Sequence, residues 1–106
     1  MFGVCDGHGP SGKEAANFCK FALNKSIEDN FPEEARHDPE TIIKALKHSF
    51  GAVHYSLKTN VGDCSTSGST GCCVLTLGNQ VITANTGSSR ALILDKSRKF
   101  KFLTPK

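Results

Sequence analysis

Asp6-Gly7-His8-Gly9 is the stretch of this chain whose residue types and spacing could do chemistry. An Asp at the end of a buried apolar strand places a carboxylate at the edge of a sheet. The two glycines let the backbone bend and approach a ligand closely. A carboxylate beside a backbone carbonyl suits a hard cation such as Mg²⁺ or Mn²⁺. His8 next to them is an imidazole able to give up a proton near neutral pH. Short glycine-containing matches also occur in plain tight turns with an exposed histidine, so on the tetrapeptide alone both readings stay open. The sulfur and imidazole side chains offer less. Cys5, Cys19, Cys64, Cys72 and Cys73 are odd in number and contain no Cys-x-x-Cys pair, and His8, His37, His48 and His54 complete no zinc pattern with them. Buried, reduced thiols are expected.

The elements that must position the turn follow from local signals. Phe2-Gly3-Val4-Cys5 reads as a short strand running into Asp6, and Gly7-His8-Gly9-Pro10 as a glycine-rich turn. Ser11, followed three residues later by Glu14, predicts a capping box that opens a helix from about Gly12 to Asn30. Its apolar residues are Ala15, Phe18, Cys19, Phe21, Ala22 and Ile27, and Phe31-Pro32 ends it. Asp38-Pro39 opens a second helix, with Asp as N-cap and Pro at the first helical position. Ile42, Leu46, Phe50, Val53 and Leu57 make its stripe, and Asn60-Val61-Gly62 closes it. Asp63 to Ser69 is small and polar and predicts a loop. From Gly71 the period shortens. Cys73–Leu77, Val81–Asn85, Ala91–Leu94 and Phe100–Leu103 read as strands of an antiparallel meander, with turns at Gly78-Asn79 and Lys96-Ser97.

Bulk properties bound the rest. A chain of 106 residues with 38% hydrophobic and 22% charged residues suits one globular domain. A net charge of +3, scattered lysines, no Trp and a single Tyr argue against a nucleic-acid surface. The apolar runs are too short to span a bilayer, and Met1–Cys5 does not read as a secretory leader. An intracellular setting, cytoplasmic or nuclear, is therefore expected, with no membrane and no nucleic acid as partner. The order strand, two helices, then strands predicts an α+β fold with helices packed on a sheet. The abrupt strand at residue 1 and the stop just past Leu103 suggest an excerpt of something longer.

Three motifs in order carry a resemblance. They are Phe2-Gly3-Val4-Cys5-Asp6-Gly7-His8-Gly9, then Gly68-Ser69-Thr70, then Ala84-Asn85-Thr86-Gly87-Ser88-Ser89-Arg90-Ala91, with Leu103-Thr104 after them. Over nearly its whole length the chain resembles the metal-dependent protein phosphatases, the type 2C serine/threonine phosphatases. Those sequences carry a phenylalanine-glycine-valine-phenylalanine-aspartate-glycine-histidine-glycine strand and turn. They also carry a glycine-serine-threonine strand start and an alanine-asparagine-valine-glycine-aspartate-serine-arginine-alanine hairpin. The resemblance implies part of a β-sandwich flanked by antiparallel helices. Residues 1–106 would be the N-terminal to central portion of the catalytic domain, incomplete at both ends. It implies Asp6 as the carboxylate bridging two Mg²⁺ or Mn²⁺ ions, the Gly7 carbonyl on one of them, and His8 as general acid toward the leaving serine or threonine oxygen. The ions would supply an activated water and hold the phosphate for in-line attack. Substrates would be phosphoserine and phosphothreonine proteins, hydrolysed without a phosphoenzyme.

Departures from the family pattern define the alternatives. The family's metal-binding glutamate and phosphate-binding arginine lie upstream of Phe2, and further metal-binding aspartates lie downstream of Lys106. The chain alone is therefore expected to be inactive. Ser88 stands where the family has an aspartate associated with an additional, weaker metal site, and Cys5 stands where it has phenylalanine. Cys5 fills the core in the simplest reading, and a redox-sensitive thiol is the alternative. Gly68, Ser69 and Thr70 are expected to be structural, and Arg90 to be a salt-bridge partner or, less simply, a phosphate ligand. A non-catalytic relative that keeps the fold as a binding or scaffold module is the competing function. Family enzymes act as monomers, while bare strand edges would allow self-association.

Overall fold

A computed structural model of the chain describes residues 1–31, 38–62 and 64–104. The elements in chain order are β1 (Phe2–Val4), β2 (Gly7–His8), α1 (Gly12–Asn30), α2 (Pro39–Asn60), β3 (Gly68–Ser69), β4 (Gly71–Leu77), β5 (Gln80–Thr86), β6 (Leu92–Leu94) and β7 (Phe100–Phe102). The chain is thus α+β, with antiparallel sheets flanked by two helices. β4 is the centre of a three-stranded sheet in the order β1-β4-β5. Leu77 pairs with Gln80 across a two-residue turn, and Gly78, at φ 57°, supplies the positive φ that so tight a connection needs.

Alternation decides which side of the sheet meets the helices. Cys73, Leu75 and Leu77 of β4 and Ile82 and Ala84 of β5 pack on Leu23, Ile27, Ile42, Leu46 and Val53. Ile42, Leu46 and Val53 fall on the stripe expected for α2, and all three are buried. Leu46→Ala would cost about 2–5 kcal/mol, the usual range for a truncated core leucine. In α1 the stripe differs from expectation: Leu23 is buried, while Phe21 is 70% exposed and has Lys20 Nζ 5.6 Å from its ring centroid. The opposite face of the sheet is covered only in part: Cys72 is buried there, and the Thr83 hydroxyl donates to the Leu103 carbonyl. Phe2 pairs with Val74 and Val4 with Cys72, and Phe2 and Val4 are largely exposed. β1 is therefore an exposed edge strand, not the buried strand that its composition suggested.

Cap chemistry is right at one helix and wrong at the other. The Asp38 carboxylate accepts from Glu40 N–H (3.1 Å) and the Thr41 hydroxyl (2.7 Å), with Pro39 opening α2. Thr41 first and the Glu40 amide after it hold the Asp38 carboxyl below its ordinary range. The Ser11–Glu14 capping box does not form. Ser11 sits at φ −101°, ψ 20°, outside the extended conformation of a capping residue, and its side chain makes no cap bond. Its N–H instead donates to Ser67 Oγ at 2.9 Å, so the residue serves a long-range contact.

The meander is broken. β4 pairs with β5, and β6 pairs with β7 in a separate two-stranded sheet. The break falls where Gly87 takes φ 96°. The β6–β7 turn is held by Asp95 Oδ1, which accepts from Ser97 N–H, the Ser97 hydroxyl and Lys99 N–H. Residues Gly68 and Ser69, expected in a loop, form β3 because Gly7 and His8 pair with them. The expected roles of Pro32 and Asp63, and the position of His37, lie outside the described residues.

Candidate active site

The turn around Asp6 is built by strand pairing on one side and a helix start on the other. Val4 pairs with Cys72 and Gly7 with Ser69, so the register runs without slip and Asp6 lies opposite Thr70. Thr70 N–H donates to the Asp6 carbonyl at 2.9 Å. The return bond is unusual: Asp6 N–H donates to Thr70 Oγ1 at 3.0 Å, while the Thr70 carbonyl accepts from the Ser69 hydroxyl at 2.8 Å. Side-chain oxygens thus replace one rung of the ladder, and the regular pairing stops there. Thr70 is buried, and its Oγ1 also lies 2.7 Å from Ser89 Oγ. Asp6 itself is exposed. The result is a fixed backbone beneath a carboxylate-bearing residue that solvent can reach.

Glycines permit the close approaches. A Cβ on Gly7 would overlap the carbonyl group of Gly12, and one on Gly12 would stand 2.9 Å from the Gly7 carbonyl carbon. β2 and the start of α1 therefore cross backbone on backbone. Gly9 takes φ 83°, and its carbonyl accepts from Gly12 N–H at 3.0 Å. Ser67 Oγ holds Ser11 N–H on the neighbouring segment. Gly87 lies opposite Thr70, where a Cβ would stand 2.9 Å from Thr70 Cγ2.

The expected site residues fall as follows. Asp6, Gly7 and His8 are consecutive, but Gly7 and His8, expected in a glycine-rich turn, form strand β2 because they pair with Gly68 and Ser69, and the bend comes only at Gly9-Pro10. His8 is exposed, and its ring lies against Gly68, where a side chain would crowd Nε2 and Cε1. Ser88 is exposed and adjoins Ser89, whose hydroxyl reaches Thr70. The Arg90 guanidinium stands 5.6 Å over the Phe102 ring, a cation–π contact where a salt bridge was expected. Cys5 is a free, half-buried thiol. Burial pushes it up, and the hydrogen bond with Ser69 only partly offsets that. A thiol raised in this way stays protonated and inert at neutral pH, which suits core filling.

Sequence reasoning missed the hydroxyls. Thr70, Ser69 and Ser67 on one segment and Ser89 on another converge around Asp6 and the start of α1. The Gly68-Ser69-Thr70 and Gly87-Ser88-Ser89 motifs marked the places, and only the register shows that Thr70 faces Asp6.

The donor set suits a hard divalent ion in kind and falls short in number. Asp6 and the Gly7 carbonyl are oxygen donors, as Mg²⁺ and Mn²⁺ prefer. Among the described residues, no three of His, Cys, Asp and Glu converge to hold a metal ion.

The family model described as "Protein phosphatase 2C" matches residues 1–106. "Probable protein phosphatase 2C 35" of Arabidopsis thaliana is 37% identical over 98 residues, covering 92% of this chain and 27% of the relative. "Probable protein phosphatase 2C 2" of Oryza sativa subsp. japonica is 32% identical, covering 91% of this chain and 26% of the relative. "Protein phosphatase 1K, mitochondrial" of Xenopus laevis is 32% identical over 105 residues, covering 94% and 26%. The chain belongs to the protein phosphatase 2C family. It spans about a quarter of the length of these curated relatives. The family is one of phosphatases that are generally metal-dependent.

Proposed function

We propose that this chain is the portion of a type 2C catalytic domain that presents Asp6, Gly7 and His8, within a longer serine/threonine protein phosphatase. The observation that carries the proposal is the turn itself: an exposed Asp6 whose backbone is fixed on both sides by Thr70, inside a chain matched throughout by the family. Divalent Mg²⁺ or Mn²⁺, when bound, would supply Lewis-acid chemistry toward phosphate and water. Asp6 and the Gly7 carbonyl would hold the ion from this side of the site. His8, exposed beside them, would carry the proton to the departing serine or threonine oxygen. Groups outside these 106 residues would have to complete the coordination shell, so the chain alone is expected to be inactive.

Phosphoserine and phosphothreonine proteins are the proposed substrates, and the cytoplasm or nucleus the proposed setting. The five free cysteines suit a reducing compartment. Among the described residues no helix is long and apolar enough to cross a membrane. The experiment replaces Asp6 by Ala in the full-length protein and measures hydrolysis of a phosphothreonine peptide with Mn²⁺ at the wild-type concentration. Loss of turnover is expected, and normal turnover would sink the assignment. One observation favours a second reading, a non-catalytic scaffold: Ser88 stands where the family has aspartate. A wild-type protein that binds phosphopeptide and never hydrolyses it would select that reading.

A further inference from the structure

We infer that Thr70 and Ser89 form a positioning pair that sets how tightly the Asp6 turn binds its divalent ion, an inference that rests on the metal-dependent reading above. Three observations meet at this point. Asp6 N–H has Thr70 Oγ1 as its acceptor at 3.0 Å, and the Asp6 carbonyl accepts from Thr70 N–H at 2.9 Å. One residue thus grips both polar groups of the Asp6 backbone. Ser89 Oγ, 2.7 Å from Thr70 Oγ1, ties that grip to the segment after β5. Gly87, at φ 96°, lets the backbone close onto the Thr70 methyl, with Cγ2 only 2.9 Å from where a Cβ would stand.

The chemistry of threonine fits the task. A β-branched side chain is stiff at χ1. With its methyl held against Gly87, its oxygen stays directed at Asp6 N–H. A serine there could rotate its hydroxyl away, and a valine would offer no acceptor. An Asp6 amide without a partner would draw the turn toward another arrangement, and the carboxylate rides on that backbone. Outer partners that orient a metal ligand are commonly worth about 10–100-fold in affinity. Ser69 does not substitute for Thr70, because its hydroxyl is engaged with the Thr70 carbonyl. The pair is uncharged, so it orients the ligand without altering the charge of the site.

The test uses Thr70→Val, Thr70→Ser and Ser89→Ala in the full-length protein, read by titration calorimetry with Mn²⁺ and by turnover of a phosphothreonine peptide. Thr70→Val should raise the Mn²⁺ Kd about 10-fold or more, with Thr70→Ser between it and wild type. Ser89→Ala should raise it by a smaller factor, on the order of 3-fold, since it removes only the outer bond. At saturating Mn²⁺, kcat should return most of the way to the wild-type value. A merely structural role would lower the amount of folded protein and leave Kd unmoved in the folded fraction. Circular dichroism melts separate these cases, and if Thr70→Val does not fold, Thr70→Ser and Ser89→Ala decide. A wild-type protein that binds Mn²⁺ but lacks turnover would overturn the phosphatase reading, while the shift in Kd would still support the positioning pair. An unchanged Kd in the folded variants, or a wild type that binds no Mn²⁺, would overturn the pair.

Discussion

Gly12→Ala is a substitution for which two effects of opposite sign must be weighed. Gly12 is the first residue of α1, and alanine is the better helix former by about 1 kcal/mol in a helix interior, less at an end. Taken alone, propensity predicts a small gain. Against it stands the crossing with β2. The new Cβ would lie 2.9 Å from the Gly7 carbonyl carbon, 3.4 Å from its oxygen and 3.5 Å from its Cα. All three are main-chain atoms, so no rotamer change relieves the contact. Overpacking of this kind costs about 1–3 kcal/mol. The net expectation is a loss of about 1–2 kcal/mol, and for a domain near this size each kcal/mol lowers Tm by roughly 4–8 °C. Gly7→Ala should be worse, because its Cβ would overlap the Gly12 carbonyl group outright. A cost of about 3 kcal/mol or more is then a large share of a typical total of about 5–15. The double variant should lose less than the sum of the two, since the first change already parts the backbones. Far-UV circular dichroism of thermal and urea unfolding is the suitable assay, because the chain has no Trp and its single Tyr, Tyr55, is 75% exposed. A Gly12→Ala protein as stable as wild type, or more so, would refute the claim that β2 and α1 meet main chain to main chain.

Three further outcomes follow from the same geometry. His8→Ala in the full-length protein should slow release of a basic leaving group, such as a phosphothreonine peptide, by about 10²-fold or more, and affect an activated aryl phosphate far less. Equal losses on both would remove His8 from the general-acid role. Ser88→Asp should sharpen the response to added Mg²⁺ or Mn²⁺, because a carboxylate is a better ligand for a hard ion than a hydroxyl. An unchanged metal titration would mean that this exposed position has no part in ion binding. The third concerns Asp95, whose carboxyl is held below the usual range first by the Ser97 hydroxyl and then by the Lys99 amide. A folded value below the unfolded one means that the stabilisation is full above about pH 3.9 and is lost as pH falls through the folded value. The Ser97 and Lys99 amide resonances should therefore titrate with a midpoint below ~3.9, and a midpoint at or above it would contradict the turn geometry.

Helix limits were legible because they depend on neighbours in the chain. Asp38-Pro39 opens α2 with the bond expected of it, and Gly12 and Asn30 bound α1 as the sequence suggests. The same locality misled at Ser11. Its capping box is a local signal, and a contact from Ser67, far along the chain, claims the residue's N–H instead. Phe21 failed for a related reason: an apolar side chain near the stripe was counted as buried, whereas helical phase leaves Leu23 facing the core. The strands after Gly71 were readable one by one from their apolar and β-branched residues. The turns at Gly78-Asn79 and Lys96-Ser97 also marked the pairs β4–β5 and β6–β7, but not the break between β5 and β6, because alternation assigns a face and does not choose a neighbour.

At the site the division falls in the same place. Asp6-Gly7-His8-Gly9 stood out in the sequence as a candidate because a carboxylate, two glycines and an imidazole are contiguous there, although a plain tight turn would read the same way. The glycines at 7, 12 and 87 were visible as glycines, but the reason for each is a main-chain or side-chain neighbour brought from elsewhere. Thr70 and Ser89 looked like ordinary small polar residues in two separate motifs. Only the antiparallel register sets Thr70 across from Asp6, and only the bend at Gly87 brings Ser89 within reach of it. The carboxylate, the glycines and the imidazole are covalently adjacent, so their juxtaposition is written in the chain. The rigidity of the turn comes from hydrogen bonds between residues far apart in sequence, and pairing had to occur before those bonds had partners.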